Sequence, residues 1–252
     1  MSTSDAPAPE ILLHANADEV AEALAARLLA RLTELQGSGR TPQVCLTGGR
    51  IATKAYSRLA AEGPSSAVDW SRVDLWWGDE RFVPAEDDER NAKQALDLLR
   101  GPLGLPAERV HAMPASDGDQ DLDDAAEAYA RELGRTVFDI CLLGLGPDGH
   151  VASLFPEHPS SHAEGRVIAV RNSPKPPPDR ISLTLEVVNG SAEVWFVVSG
   201  ADKADAAALA LQGAGPVQVP GAGAHGRKRT LWLMDREAAA KLPPDLAQRG
   251  RF

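Results

Sequence analysis

Cysteine is scarce in this sequence: Cys45 and Cys141 are the two among 252 residues. Two thiols build neither a disulfide framework nor a cysteine-rich metal centre. Each lies in an apolar, strand-like run, so each reads as a small buried hydrophobe, with one bridge between them as the alternative. Positive charge is also short. With 26 Lys and Arg against 36 Asp and Glu, the formal net charge is -10, which excludes a general nucleic-acid or acidic-membrane surface because such binding runs on clustered cations. Any anionic ligand must be met by a local basic pocket. No apolar run is long enough to span a bilayer, and MSTSDAPAPE lacks a basic region followed by an apolar core. The expectation is a cytoplasmic protein. No low-complexity linker divides the chain, and 43% hydrophobic residues suffice for a large core. One domain over 1–252 is expected, with 1–9 flexible.

What is present centres on the stretch FDICLLGLGPDGHVASLFP. Residues 138–143 form an apolar run that reads as a strand buried on both faces. It breaks at once into Gly144, Gly146, Pro147, Asp148, Gly149 and His150. A carboxylate and an imidazole two residues apart are thereby set at the carboxyl edge of a sheet, where open α/β sheets bind ligands. The glycines satisfy the spacing of a dinucleotide fingerprint, but Pro147 and His150 stand where that loop would open its helix, which disfavours NAD.

Two further strand ends carry polar groups. Residues 44–46 run into Thr47, Gly48, Gly49 and Arg50 before a helix near Ile51. Paired glycines at a helix N-terminus let backbone N–H groups approach a phosphate, and the two flanking side chains add a hydroxyl and a fixed charge. Residues 73–77 end in Gly78, Asp79, Glu80 and Arg81, charges placed at the sheet edge although Arg81 could pair locally. Asn91 or a neighbour is expected to cap the next helix. Asn16, with Glu19 three residues on, opens an earlier one, and 122–133 reads as an amphipathic helix. Later come strands at 167–170, 181–185, 193–198 and 230–234, a stiff loop with Pro174, Pro176, Pro177 and Pro178, and Lys203 in the first turn of a helix, where a cation suggests a bound anion. Strands alternate with helices throughout. The expected fold is α/β: a single-domain, doubly wound, mostly parallel Rossmann-like sheet flanked by helices.

The motifs LTGGR, WWGDERFVP, GLGPDGHVASLFP, NSPKPPPDRISLTL and SGADK, in this order, closely resemble the 6-phosphogluconolactonase family. That family belongs to a wider group that includes glucosamine-6-phosphate deaminase and shares the double glycine and the DGH turn. The resemblance implies hydrolysis of 6-phospho-D-glucono-1,5-lactone to 6-phosphogluconate, in the oxidative pentose phosphate pathway, without metal or organic cofactor. It implies a monomer or weak dimer whose partner is a small sugar phosphate, with no nucleic acid and no membrane. In that likeness His150 activates water against the lactone carbonyl and Asp148 orients it. Thr47, Gly48, Gly49 and Lys203 meet the phosphate, and Arg81, Arg171 and Arg180 meet phosphate or sugar oxygens, with a guanidinium or a turn N–H stabilising the oxyanion. Asp79 and Arg50 complete the substrate contacts, although Arg50 replaces the small hydroxyl residue that is usual there. Two other readings are a deaminase or isomerase of amino-sugar phosphates and a non-catalytic sugar-phosphate sensor. The deaminase pattern places glutamate just before the proline that follows DGH; this chain has Phe155 before Pro156.

Overall fold

The structure is a computed structural model that describes residues 7–249; of the leader expected to be flexible at 1–9, residues 1–6 lie outside the described residues. Seven strands form one sheet, β1 (Glu10–His14), β2 (Gln43–Leu46), β3 (Asp74–Trp77), β5 (Val110–His111), β6 (Ile140–Leu143), β9 (Glu193–Val198) and β10 (Arg229–Asp235). Their order is β1-β10-β9-β6-β2-β3-β5 and every pairing is parallel. A parallel sheet needs cover on both faces. On one face lie α1 (Ala17–Gly37), α2 (Arg50–Glu62) and α3 (Asn91–Leu103); on the other, α4 (Leu122–Leu133) and α6 (Ala204–Leu211).

The pleat explains why successive residues in the strand interiors are apolar. Trp77, Leu46 and Trp195 pack with Leu24, Tyr56 and Leu99, whereas their neighbours Trp76, Cys45 and Phe196 pack with Tyr129 and Leu133 on the far side. Cys45 and Cys141 are in register across β2 and β6, free and buried, with burial and the adjacent Cys141 pushing the Cys45 thiol up. Both behave as core hydrophobes.

Local signals set the helix ends. The Asn16 side chain accepts the Glu19 N–H at 3.1 Å, and Glu19 reaches back to the Ala15 N–H at 2.8 Å, one residue short of the N-cap that a capping box would use. None of the described helices is long and apolar enough to cross a membrane.

One element departs from the sequence reading. The charged residues after β3 form a short strand, β4 (Asp79–Arg81), which pairs antiparallel with β8 (Arg180–Leu183), and β8 pairs with β7 (Val167–Val170). Gly78 is the joint between the two sheets: its N–H donates to Leu46 O at 3.0 Å and its carbonyl accepts from Leu183 N at 2.8 Å. The small sheet thus stands on the carboxyl edge of the large one. The loop at 213–226 also contains one helical turn, α7 (Pro220–Gly223), after α5 (Leu185–Gly190), and α8 (Pro244–Arg249) comes last.

Candidate active site

From β2 the chain passes outward to β3 and β5, then returns to the other side of β2 at β6. Such a reversal opens a crevice at the carboxyl ends of the strands. Here it holds a cleft of about 600 Å³ bordered by the ends of β2, β3, β6 and β9.

The turn after β6 supplies the titratable pair. It is closed by Gly149 N–H to Gly146 O and Gly146 N–H to His150 O, each 2.9 Å, with Gly149 at φ 86°. His150 Nδ1 lies 2.6 Å from Asp148 Oδ1. This placement of the pair requires glycine at position 146: a Cβ there would stand 1.9 Å from His150 Nδ1 and 2.4 Å from Asp148 Oδ1. Burial pushes the Asp148 carboxyl up, but hydrogen bonds and charge from His150 and Lys175 outweigh it and hold the group well below the usual carboxylate range. An ionised Asp148 can only accept, so Nδ1 carries the proton and Nε2 is left with the lone pair. Behind the ring, Phe155 is fully buried with its centroid 4.8 Å away. The ring is thus fixed by an acceptor at one edge and an aromatic wall, which suits a general base.

The loop after β2 forms the facing lip. Gly49 caps α2 at φ 102°, with no side-chain cap bond and no acidic residue in the first turn. Its leading N–H groups therefore face the cleft as donors, alongside Arg50 and Lys54. Thr47 ties the lips together: its Oγ1 accepts the Gly144 N–H at 3.2 Å, and its backbone exchanges bonds of 3.1 and 2.7 Å with the Tyr56 hydroxyl. At the end of β9, Gly200 (φ 102°) opens a 3-10 turn, Ala201–Lys203, ahead of α6. Lys203 faces the cleft, 3.3 Å from Asp202.

The third border comes from β4 and α3. Asp79 is 7% exposed and accepts the Ser153 hydroxyl at 2.7 Å. Glu80, fully buried, accepts N–H groups from Arg81, Asn91 and Ala92 at 2.7–2.8 Å. The carboxylate of Glu80 therefore satisfies the start of α3 from outside the helix. Asn91, the first residue of that helix, makes no cap bond of its own and turns into the cleft, its Oδ1 accepting from Arg81 Nη1 at 3.0 Å and packing against the bare Cα of Gly48. Arg81 also donates to Glu89 O at 2.5 Å, while its buried Nε has no partner among the described residues.

Thr47, Gly48, Gly49, Arg50, Asp79, Arg81, His150, Arg180 and Lys203 all line this one cleft, and Asp148 sits behind His150. Arg171 does not join them. It makes a bidentate pair with Asp123 on α4, at 2.9 and 2.6 Å, outside the cleft. Arg180 borders the cleft but spends its donors on the proline loop; its Nε and Nη2 hold the carbonyls of Lys175, Pro176 and Pro177 at 3.0–3.1 Å. Lys175, Lys54 and Ser153 were not among the residues the sequence assigned to the site, and Asn91 was expected only as a helix cap. Lys175 lay inside a quoted motif, but nothing local sets its side chain beside a turn 25 residues away.

A protein-family model described as "Glucosamine-6-phosphate isomerases/6-phosphogluconolactonase" matches residues 15–232. The chain is 50% identical over 251 residues to a 6-phosphogluconolactonase of Streptomyces coelicolor, covering 94% of this chain and 96% of that one. It is 47% identical over 248 residues, with the same coverage, to a 6-phosphogluconolactonase of Mycobacterium tuberculosis. Among solved structures, 6-phosphogluconolactonase from Thermotoga maritima superimposes with a TM-score of 0.80 at 27% identity, over 90% of this chain and 99% of that one.

Proposed function

The chain belongs to the glucosamine-6-phosphate isomerase/6-phosphogluconolactonase family, and from that premise we propose that its cleft hydrolyses 6-phospho-D-glucono-1,5-lactone to 6-phosphogluconate. The observation that carries the reading is the His150–Asp148 pair at 2.6 Å, oriented within a cleft whose other lip is an uncapped helix N-terminus. His150 Nε2 takes a proton from water as the oxygen adds to the lactone carbonyl carbon. The resulting tetrahedral oxyanion collapses, the ring C–O bond breaks, and the imidazolium returns its proton to the leaving ring oxygen. Asp148 stays ionised throughout, receives Nδ1–H and steadies the transient imidazolium.

The N–H groups that open α2, with Arg50 and Lys203, hold the phosphate, and Thr47 keeps the β2 lip fixed to the β6 turn. Arg81 borders the cleft and serves the oxyanion or the sugar oxygens; Asp79 accepts sugar hydroxyls. Arg180 acts by fixing the proline loop. The protein works as a single domain, a monomer or weak dimer, in the cytoplasm.

The test supplies lactone by oxidising glucose 6-phosphate with its dehydrogenase and follows lactone disappearance above the spontaneous rate. Acceleration supports the reading. Ammonia release from glucosamine 6-phosphate without lactone hydrolysis would replace it with the deaminase, and 6-phosphogluconate binding with neither activity would replace it with a sensor.

A further inference from the structure

Lys175 approaches the His150–Asp148 pair from a different part of the chain. Its Nζ lies 3.0 Å from Asp148 Oδ1 and 3.1 Å from His150 Nδ1. The same carboxylate oxygen therefore meets a ring N–H and an ammonium. Since Nδ1 carries a proton and an ammonium has no lone pair, the 3.1 Å approach to the ring is a charge contact and not a hydrogen bond.

A lysine on a free loop samples many rotamers and holds no fixed place. This one is held from behind. Arg180, 4% exposed, donates to the carbonyls of Lys175, Pro176 and Pro177, and the Ser173 hydroxyl donates to the Lys175 carbonyl at 3.0 Å. Burying a guanidinium is unfavourable, and although Asp79 stands 4.0 Å from Nη1 and partly offsets the cost, burial still lowers the proton affinity of Arg180 while its close hydrogen bonds all go to the loop carbonyls. The arrangement makes sense where the backbone at 175–177 has to stay in place.

We propose that Lys175 is a positioning residue for the base: its charge offsets that of Asp148 at the imidazole, so the aspartate can orient His150 without trapping it in the protonated, unreactive form. The proposal rests on His150 being the base. A carboxylate at 2.6 Å favours imidazolium and an ammonium at 3.1 Å disfavours it, by Coulomb terms of similar reach. The incoming phosphate adds negative charge and pushes toward imidazolium again, which makes the offset more useful with substrate bound. Other charges around the cleft are engaged elsewhere: Lys54 with Asp18, Asp79 with Ser153, Arg81 with Asn91, Lys203 with Asp202. Arg180 faces His150 only across the Phe155 ring, its guanidinium carbon 5.6 Å from the centroid, and Arg50 stands on the opposite lip.

The experiment compares wild type, Lys175→Met and Lys175→Arg by two readouts. One is kcat/KM for the lactone against pH. The other is NMR titration of the His150 ring without substrate, tractable with six histidines in the chain and assigned by loss of the signal in His150→Ala. In Lys175→Met the ring titration and the acid limb both move to higher pH by about one unit, a roughly tenfold rate loss on that limb, while the plateau above it stays near wild type. Lys175→Arg stays near wild type in both. An unmoved ring titration in Lys175→Met would overturn the proposal, as would a plateau lowered at all pH with an unmoved limb, which marks a substrate contact or a loop prop. If the ring titration moves but no form of the protein hydrolyses lactone, the charge offset stands and the lactonase reading falls.

Discussion

Gly146→Ala isolates the His150–Asp148 pair without touching either residue. Gly146 does not occupy the positive-φ region, so alanine adds no backbone strain there. What it adds is a methyl 1.9 Å from His150 Nδ1, 2.2 Å from Cε1 and 2.4 Å from Asp148 Oδ1. Ordinary contact begins near 3.4 Å, so the ring must retreat by about 1.5 Å toward the open cleft. The atoms met are side-chain ends, and the loss of stability should be small. A misplacement of about 1 Å in a reacting group costs about 10²-fold in rate, or about 3 kcal/mol of barrier, and complete loss of a general base reaches about 10⁴-fold. The expected result is a fall in kcat/KM between those limits, carried by kcat, with KM and the melting temperature close to wild type. Gly144→Ala is the control in the same turn, since its methyl would meet its nearest neighbours at 3.8 Å. A Gly146→Ala enzyme within a few fold of wild type would refute the assignment of the pair as the catalytic centre.

The other lip gives the opposite case. Gly49→Ala meets nothing within 4 Å but forces a side chain to φ 102°, and should destabilise by about 1–2 kcal/mol in denaturant melts while raising KM more than it lowers kcat. Glu80→Gln leaves three N–H donors at the β4–α3 junction with a weaker acceptor in a fully buried place, and its unfolding free energy should drop on the order of 2 kcal/mol. Arg171→Ala removes only an exposed pair with Asp123, so kcat and KM should match wild type; a large rise in KM would return Arg171 to the substrate.

The seven-stranded sheet was legible because both of its faces are covered. Runs such as QVCL, DLWW, ICLL and EVWFVV are buried at nearly every position, so apolarity alone marked them. The lips of the cleft were legible for a related reason: Gly49, Gly149 and Gly200 all adopt positive φ in the turns that follow β2, β6 and β9, and glycine spacing announces such turns. What was hidden depends on partners far along the chain. Asp79, Glu80 and Arg81 read as charges at the end of β3 on the sheet edge, yet they form a strand of their own because β8, a hundred residues later, offers them an edge. Asn91 carried the signal of a cap, but Glu80 takes that task and frees it for the cleft. Arg171 stands just before the motif that holds Lys175, and both are cations. Which faces the cleft depends on Asp123 capturing the first and Arg180 pinning the backbone of the second.

The central claim is that His150 activates the water. It is tested most directly by measuring lactone hydrolysis, spontaneous rate subtracted, for wild type and His150→Ala, with 6-phosphogluconate binding followed by calorimetry on both. Loss of a positioned general base should lower the enzymatic rate about 10² to 10⁴-fold, with product affinity retained because the phosphate lip is untouched. Wild-type turnover in His150→Ala would contradict the claim outright.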